Sequence, residues 1–332
     1  MSNIKIYSRV RFHKEQCSFK MRPLKITLNE RNIQINQQKI NVMNEKVISK
    51  KGFLFDKVYD IDYDNIDIYN EIGNKLLYNV NNQRNSVFYV YGQTGSGKTY
   101  TLLGNEHNNG IIQLLLNDLI KFENVSFSGI QIYNNKCYDI FNSNKLIKEC
   151  ETKDGNINFL HLTTNELNKD NYNNIIEQIR LARHVGISSS NDTSSRSHLI
   201  FQIYIGNIYI KLIDLAGSER ASRSKNNNKH NFRENAEINL SILALKECIR
   251  NINKKKIPFR NSKITKILKD TFSNNVNTYI LSTISPLNRD ITDTLDTLKY
   301  MCDFKRYNKK YFKNLPPLYI NNRDIVNKLN YN

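Results

Sequence analysis

Gly92-Gln93-Thr94-Gly95-Ser96-Gly97-Lys98-Thr99 is a complete G-x-x-x-x-G-K-[S/T] loop, set between the apolar run Val87–Tyr91 and the helix-compatible Tyr100–Leu103. Such a string works only where a strand feeds it and a helix leaves it. The glycines let successive backbone N–H groups converge on phosphate oxygens, Lys98 neutralises β- and γ-phosphate charge, and the Thr99 hydroxyl ligates Mg²⁺. The string and its flanks agree, so residues 92–99 are read as a nucleotide-phosphate cradle and not as a chance glycine turn.

The rest of the pattern supplies the layers that a strand–loop–helix unit needs. Ile4–Val10 alternates apolar and polar residues, Val125–Tyr133 is mixed, and Thr278–Ile284 is β-rich. Tyr69, Ile72, Leu76 and Val80 fall three or four apart, as do Ile238, Ile242, Leu245 and Ile249, and both sets predict helices. Leu199–Ile205 and Ile208–Ile213 flank Gly206-Asn207, a pair suited to a tight hairpin. The fold class is α/β: a central mixed, mostly parallel sheet with helices on both faces. No Pro/Gly/Ser-rich linker interrupts it, so residues 1–307 read as one domain and 308–332 as a short basic tail. There is no internal repeat and no sustained heptad that could make a coiled coil.

At 332 residues, with 39% hydrophobic and 10% aromatic residues, the chain can bury a full core. Its 49 Lys+Arg against 31 Asp+Glu give 49 − 31 = +18, an excess that has to meet something acidic. Nucleic acid, an anionic membrane and an acidic protein polymer all qualify, and charge alone does not rank them. Cys17, Cys137, Cys150, Cys248 and Cys302 are odd in number and lack metal-ligand spacing, which argues against a disulfide framework or a zinc site. With no apolar leader and no bilayer-length apolar run, the expectation is a soluble, intracellular protein of a reducing compartment. Asn clusters such as Asn226-Asn227-Asn228 read as coding bias.

Two further segments carry chemistry. Asp214 ends the apolar strand Ile208–Ile213 and is followed by Leu215-Ala216-Gly217-Ser218-Glu219; a carboxylate at that place holds a nucleotide's Mg²⁺. Gly217 can offer its N–H to a γ-phosphate. Asn191–His198 is a hydroxyl-rich loop in which Ser194, Ser195 and Arg196 can supply a γ-phosphate contact, an Mg²⁺ ligand and a cation for Glu219.

Together YGQTGSGKT, NDTSSRSH and LIDLAGSER resemble the phosphate loop, switch I and switch II of the kinesin motor family, in order, and the likeness runs from Ile4 to Tyr300. It implies a P-loop NTPase (kinesin-like) motor fold and a microtubule-stimulated ATPase using ATP and Mg²⁺. Thr99 and Ser195 would ligate the metal, with Asp214 acting through a water. Ser194 and Gly217 would contact the γ-phosphate, and Arg196 and Glu219 would pair to close the site. Arg9, Arg11 and Tyr100 would border the adenine, although the family's RxRP reads Arg9-Val10-Arg11-Phe12 here. Glu234–Ser241 keeps the asparagine of the family's INKS and puts Leu240 where its lysine stands.

Basic residues gather where the family meets its track: Lys254, Lys255, Lys256, Arg260, Lys263 and Lys266, with Lys225, Lys229 and Arg233 after switch II. Lys305, Arg306, Lys309, Lys310 and Lys313 are either the same device or a solvated tail. Glu237–Arg250 and Arg183–Gly186 resemble the kinesin-13 branch, whose members depolymerise microtubules; Ile132–Lys136 and Asp154-Gly155 fit more loosely. That branch's Lys-Val-Asp hairpin tip reads Lys39-Ile40-Asn41. The chain begins at its first strand, without the basic neck of that branch. The resemblance implies tubulin as partner, with neither a specific nucleic acid nor a membrane, on the cytoplasmic microtubule cytoskeleton, the spindle included. A microtubule-gliding motor, a nucleic-acid-dependent ATPase and a non-hydrolysing microtubule binder are the alternatives.

Overall fold

Strands that are buried on both faces have to be apolar throughout, and the run Val87–Tyr91 forms the centre of such a sheet. The computed structural model describes residues 3–11, 25–40, 46–152, 157–184, 193–219, 229–251, 254, 256–269 and 276–307. The tail expected at 308–332 lies outside them. The strands are β1 (Asn3–Val10), β2 (Lys25–Leu28), β3 (Asn32–Ile40), β4 (Lys46–Leu54), β5 (Lys57–Tyr59), β6 (Asn85–Tyr91) and β7 (Val125–Tyr133). They continue as β8 (Lys136–Asp139), β9 (Lys145–Glu151), β10 (Ile157–Leu160), β11 (Asn165–Glu166), β12 (His198–Ile205), β13 (Ile208–Asp214) and β14 (Val276–Ile284). The helices are α1 (Asn65–Ile68), α2 (Asn74–Asn81), α3 (Lys98–Leu103), α4 (Ile111–Leu119), α5 (Tyr172–His184), α6 (Lys229–Arg250), α7 (Lys263–Ile267) and α8 (Ile291–Tyr307).

The main sheet runs β10-β9-β8-β7-β12-β13-β6-β14-β1-β5, with β11 beside β7. Its site-bearing half, β13-β6-β14-β1-β5, is parallel, and the strands from β13 out to β10 are antiparallel. Side chains of α1, α2, α4 and α5 cover one face in a core with Phe88, Val90, Phe201 and Leu212. The other face is covered by α6, α7 and α8, together with a separate three-stranded sheet, β2-β3-β4.

The periodic stripes land where expected. Tyr69, Ile72, Leu76 and Val80 are all buried, but α1 and α2 are joined by a π-helical turn, Tyr69–Gly73. A Cβ on Gly73 would lie 2.3 Å from the Tyr69 ring, so the wider turn depends on a glycine there. Asp64 caps this segment, accepting from Ile66 N and Asp67 N. The hairpin turns through Gly206-Asn207, with Ile205 opposite Ile208 and Gly206 at φ +55°, a left-handed conformation natural to glycine. No helix among the described residues is long and apolar enough to cross a membrane.

Two ion pairs lock β9 to the α7 region: Glu149 with Lys263, and Glu151 with Arg260 at 3.1 Å. Burial alone would raise the Glu149 carboxyl, but the Lys263 hydrogen bond and the charges of Lys263 and Lys266 bring it below its usual 4.5. A depressed carboxylate contributes stability above its unfolded pKa and loses it as pH falls through the folded value. Lys263→Ala is therefore expected to lower the unfolding free energy by about 1–2 kcal/mol at pH 7, a deficit that narrows as pH falls below 4.5. Urea titrations of both proteins across that range check it, and a gap independent of pH would contradict it.

Candidate nucleotide site and track-facing surface

The phosphate loop leaves β6 at Gly92 and enters α3 at Lys98. A Cβ on Gly92 would lie 2.3 Å from the Thr283 carbonyl oxygen of β14, so no larger residue lets the loop leave the sheet here. Gly97 holds φ +102° at the entry to the helix. Ser96 Oγ donates to Gln93 O at 2.7 Å and meets Thr283 Oγ1 at 2.7 Å, which stiffens the turn. Lys98 is buried, and its ammonium donates to Gly92 O at 2.9 Å and Gln93 O at 2.8 Å, inside the curve of the loop.

Parallel pairing puts Asp214 opposite Val90, two residues before the loop. Its carboxylate is fully buried; Oδ2 accepts from Thr99 Oγ1 at 2.7 Å and lies 3.2 Å from Arg183 Nη1 of α5. Oδ1 is buried with no hydrogen-bond partner among the described residues. A hydroxyl and a carboxylate with spare acceptor capacity are the hard oxygen donors that Mg²⁺ takes, so these residues fit the metal that the loop implies. Among the described residues no group of three or more His, Cys, Asp or Glu could hold a metal.

The two switch segments converge on the same place. Gly217 N donates to Ser195 O at 2.8 Å, and Ser218 N to Gly92 O at 3.1 Å. A Cβ on Gly217 would lie 2.3 Å from Thr94 Oγ1, so glycine is the residue that fits. Ser194, Ser195 and Arg196 lie in the 3-10 turn Thr193–Arg196 just before β12. Glu219 differs from expectation: both of its carboxylate oxygens take Thr94, one from the backbone N–H at 2.8 Å and one from the hydroxyl, in place of the pairing with Arg196. The close packing of Gly217 on Thr94 is what brings that carboxylate onto the loop.

Where the resemblance puts the adenine, Arg9 is buried and donates to Asn65 Oδ1 at 2.6 Å and Thr101 Oγ1 at 2.9 Å, with its guanidinium 5.3 Å from the Tyr100 ring centre. Burial lowers its pKa, and Tyr100 and Asp64 act against that. Its bonds thus go to the protein, and it braces Tyr100. Arg11 lies along the loop, donating to Gly95 O.

Of the residues that the resemblance puts toward the track, Lys39 and Ile40 end β3 in the hairpin to β4, and Asn41 lies outside the described residues, as does Lys255. Lys254 and Lys256 are exposed, and Lys266 is half-buried. Arg260 is exposed but engaged by Glu151, and Lys263 is held by Glu149. Sequence reasoning missed both acidic partners, and it took Arg183 only as part of a branch signature.

A family model described as the kinesin motor domain matches residues 9–306. The kinesin-like protein KIF24 of Homo sapiens is 34% identical over 295 residues, which cover 83% of this chain and 21% of that protein. KIN-13B of Arabidopsis thaliana is 34% identical over 299 residues, covering 83% of this chain and 43% of that protein. The chain therefore spans less than half the length of these curated relatives. The phosphate loop, the two switches joined at Ser195 and Gly217, and the extent of these matches together place the chain in the kinesin motor domain family.

Proposed function

We propose that the chain is the motor of a microtubule-depolymerising kinesin, a Mg²⁺-dependent ATPase whose phosphate loss changes its grip on tubulin. The observation that carries this is the bond from Gly217 N to Ser195 O beside the phosphate loop, because it makes the two switches one unit at the γ-phosphate position. The loop amides and Lys98 would bind phosphates, and Thr99, Ser195 and Asp214 are the residues that would hold the metal. Bound there, Mg²⁺ would supply charge neutralisation to the phosphates. Ser194 and Gly217 contact the γ-phosphate, and Glu219 exchanges Thr94 for Arg196 as the site closes around the attacking water. Arg183 balances Asp214 when Thr99 turns to the metal.

The likeness of Glu237–Arg250 to the kinesin-13 branch, the relative named KIN-13B and the β3–β4 hairpin bearing Lys39 and Ile40 favour depolymerisation over gliding. Lys254, Lys256 and the rest of the basic surface would steer the motor to acidic tubulin. On this reading the protein works on the cytoplasmic microtubule cytoskeleton, the spindle included.

Lys98→Ala is expected to lose nucleotide binding, read by titration with a fluorescent ATP analogue. Glu219→Ala is expected to bind ATP normally and turn over about 100-fold more slowly, the scale of a mispositioned reacting group. Normal turnover in Glu219→Ala would remove its role in closure.

Incubation of stabilised microtubules with the protein and ATP should shorten them from their ends. Replacing Lys39, Ile40 and Asn41 by Ala should cut that shortening and spare the ATPase that the lattice stimulates. Gliding of microtubules at constant length would replace depolymerisation by the walking alternative.

A further inference from the structure

His198, the first residue of β12, is buried with both ring nitrogens engaged. Nδ1 accepts from Ala216 N at 3.0 Å, and Nε2 lies 2.9 Å from Ser241 Oγ on α6. Ser241 Oγ in turn donates to Ile238 O at 2.7 Å. Burial, reinforced by the positive charges of Arg183 and Lys98, pushes His198 down to about 3, so the ring is neutral near pH 7 and carries one hydrogen. Because Nδ1 accepts, that hydrogen is on Nε2 and goes to Ser241. The chain of bonds has one polarity: Ala216 N–H to His198, His198 to Ser241, Ser241 to Ile238 O.

Ala216 precedes Gly217, the residue tied to Ser195 beside the phosphate loop, while Ser241 follows Leu240, which is 62% exposed on α6. The imidazole is buried at the wall of a cavity that Ser241 also lines, so a shift at Ala216 either carries Ser241 with it or costs the bond between the ring and the hydroxyl. We propose that His198 is a positioning residue that transmits the position of Ala216 and Gly217 to helix α6 through Ser241. It rests on the reading of the site as an ATPase with α6 on its track side.

Two readouts on Ser241→Ala, Ser241→Thr and His198→Asn test it, with thermal unfolding as the check on folding. The first is hydrogen exchange of the α6 amides around residues 236–246, compared between ADP and a non-hydrolysable ATP analogue. The wild type should show a nucleotide-dependent difference that Ser241→Ala abolishes and Ser241→Thr, which keeps the hydroxyl, restores. The second is ATP turnover with and without stabilised microtubules: Ser241→Ala should keep basal turnover and KM for ATP and lose about tenfold in stimulation. His198→Asn retains an acceptor for Ala216 but does not reach Ser241, so combining it with Ser241→Ala should add nothing to the loss. A nucleotide-dependent exchange difference that survives Ser241→Ala, or one that Ser241→Thr fails to restore, overturns the coupling. A wild type that lacks microtubule stimulation yet keeps the His198-dependent exchange difference overturns the motor reading and supports the coupling.

Discussion

A carboxylate removed from water must be compensated, and the organisation around the phosphate loop follows from how Asp214 meets that demand. Parallel pairing with β6 sets it beside the loop, where Thr99 donates to it, and Arg183 reaches it from α5. One buried charge thereby ties a strand end, the first turn of α3 and the helix that leads toward switch I. Removing either partner would leave the buried carboxylate undercompensated, which is why buried pairs of this kind are costly to break, about 3–5 kcal/mol. The remaining lone pairs on Oδ1 leave the same group able to serve a metal.

The parts of this arrangement that were legible in the sequence are local. A loop of fixed spacing, apolar runs and three-four periodicity announce themselves within ten residues, and β1, β6, β7, β12–β13 and α6 fall where those signals put them. The small sheet β2-β3-β4 and the β8–β10 extension have weaker signals, because their strands are short or half-polar and are fixed by pairing across the sheet. Single-residue roles were less legible still. Lys263 reads as one of a run of surface cations, yet its partner Glu149 lies 114 residues away in sequence. His198 reads as the end of a hydroxyl-rich motif, since nothing beside it in the chain reveals Ala216 or Ser241.

Charge partition on the basic face follows from those pairings. With Arg260 and Lys263 committed to Glu151 and Glu149, they act first as fasteners that hold α7 and the turn before it to β9, and long-range attraction falls to exposed cations such as Lys254 and Lys256. Helix α6 contributes a different chemistry, for Leu240 and Leu243 are 62% and 47% exposed on it. Apolar side chains give no steering, but they hold once water is squeezed out, whereas screened surface cations raise the encounter rate and add little after contact. On the proposed reading, the exposed lysines bring this motor to its track and the outer face of α6 governs how long it stays. Leucine in place of lysine at position 240 therefore moves α6 away from salt-sensitive attraction toward contact that depends on the fit of an apolar surface.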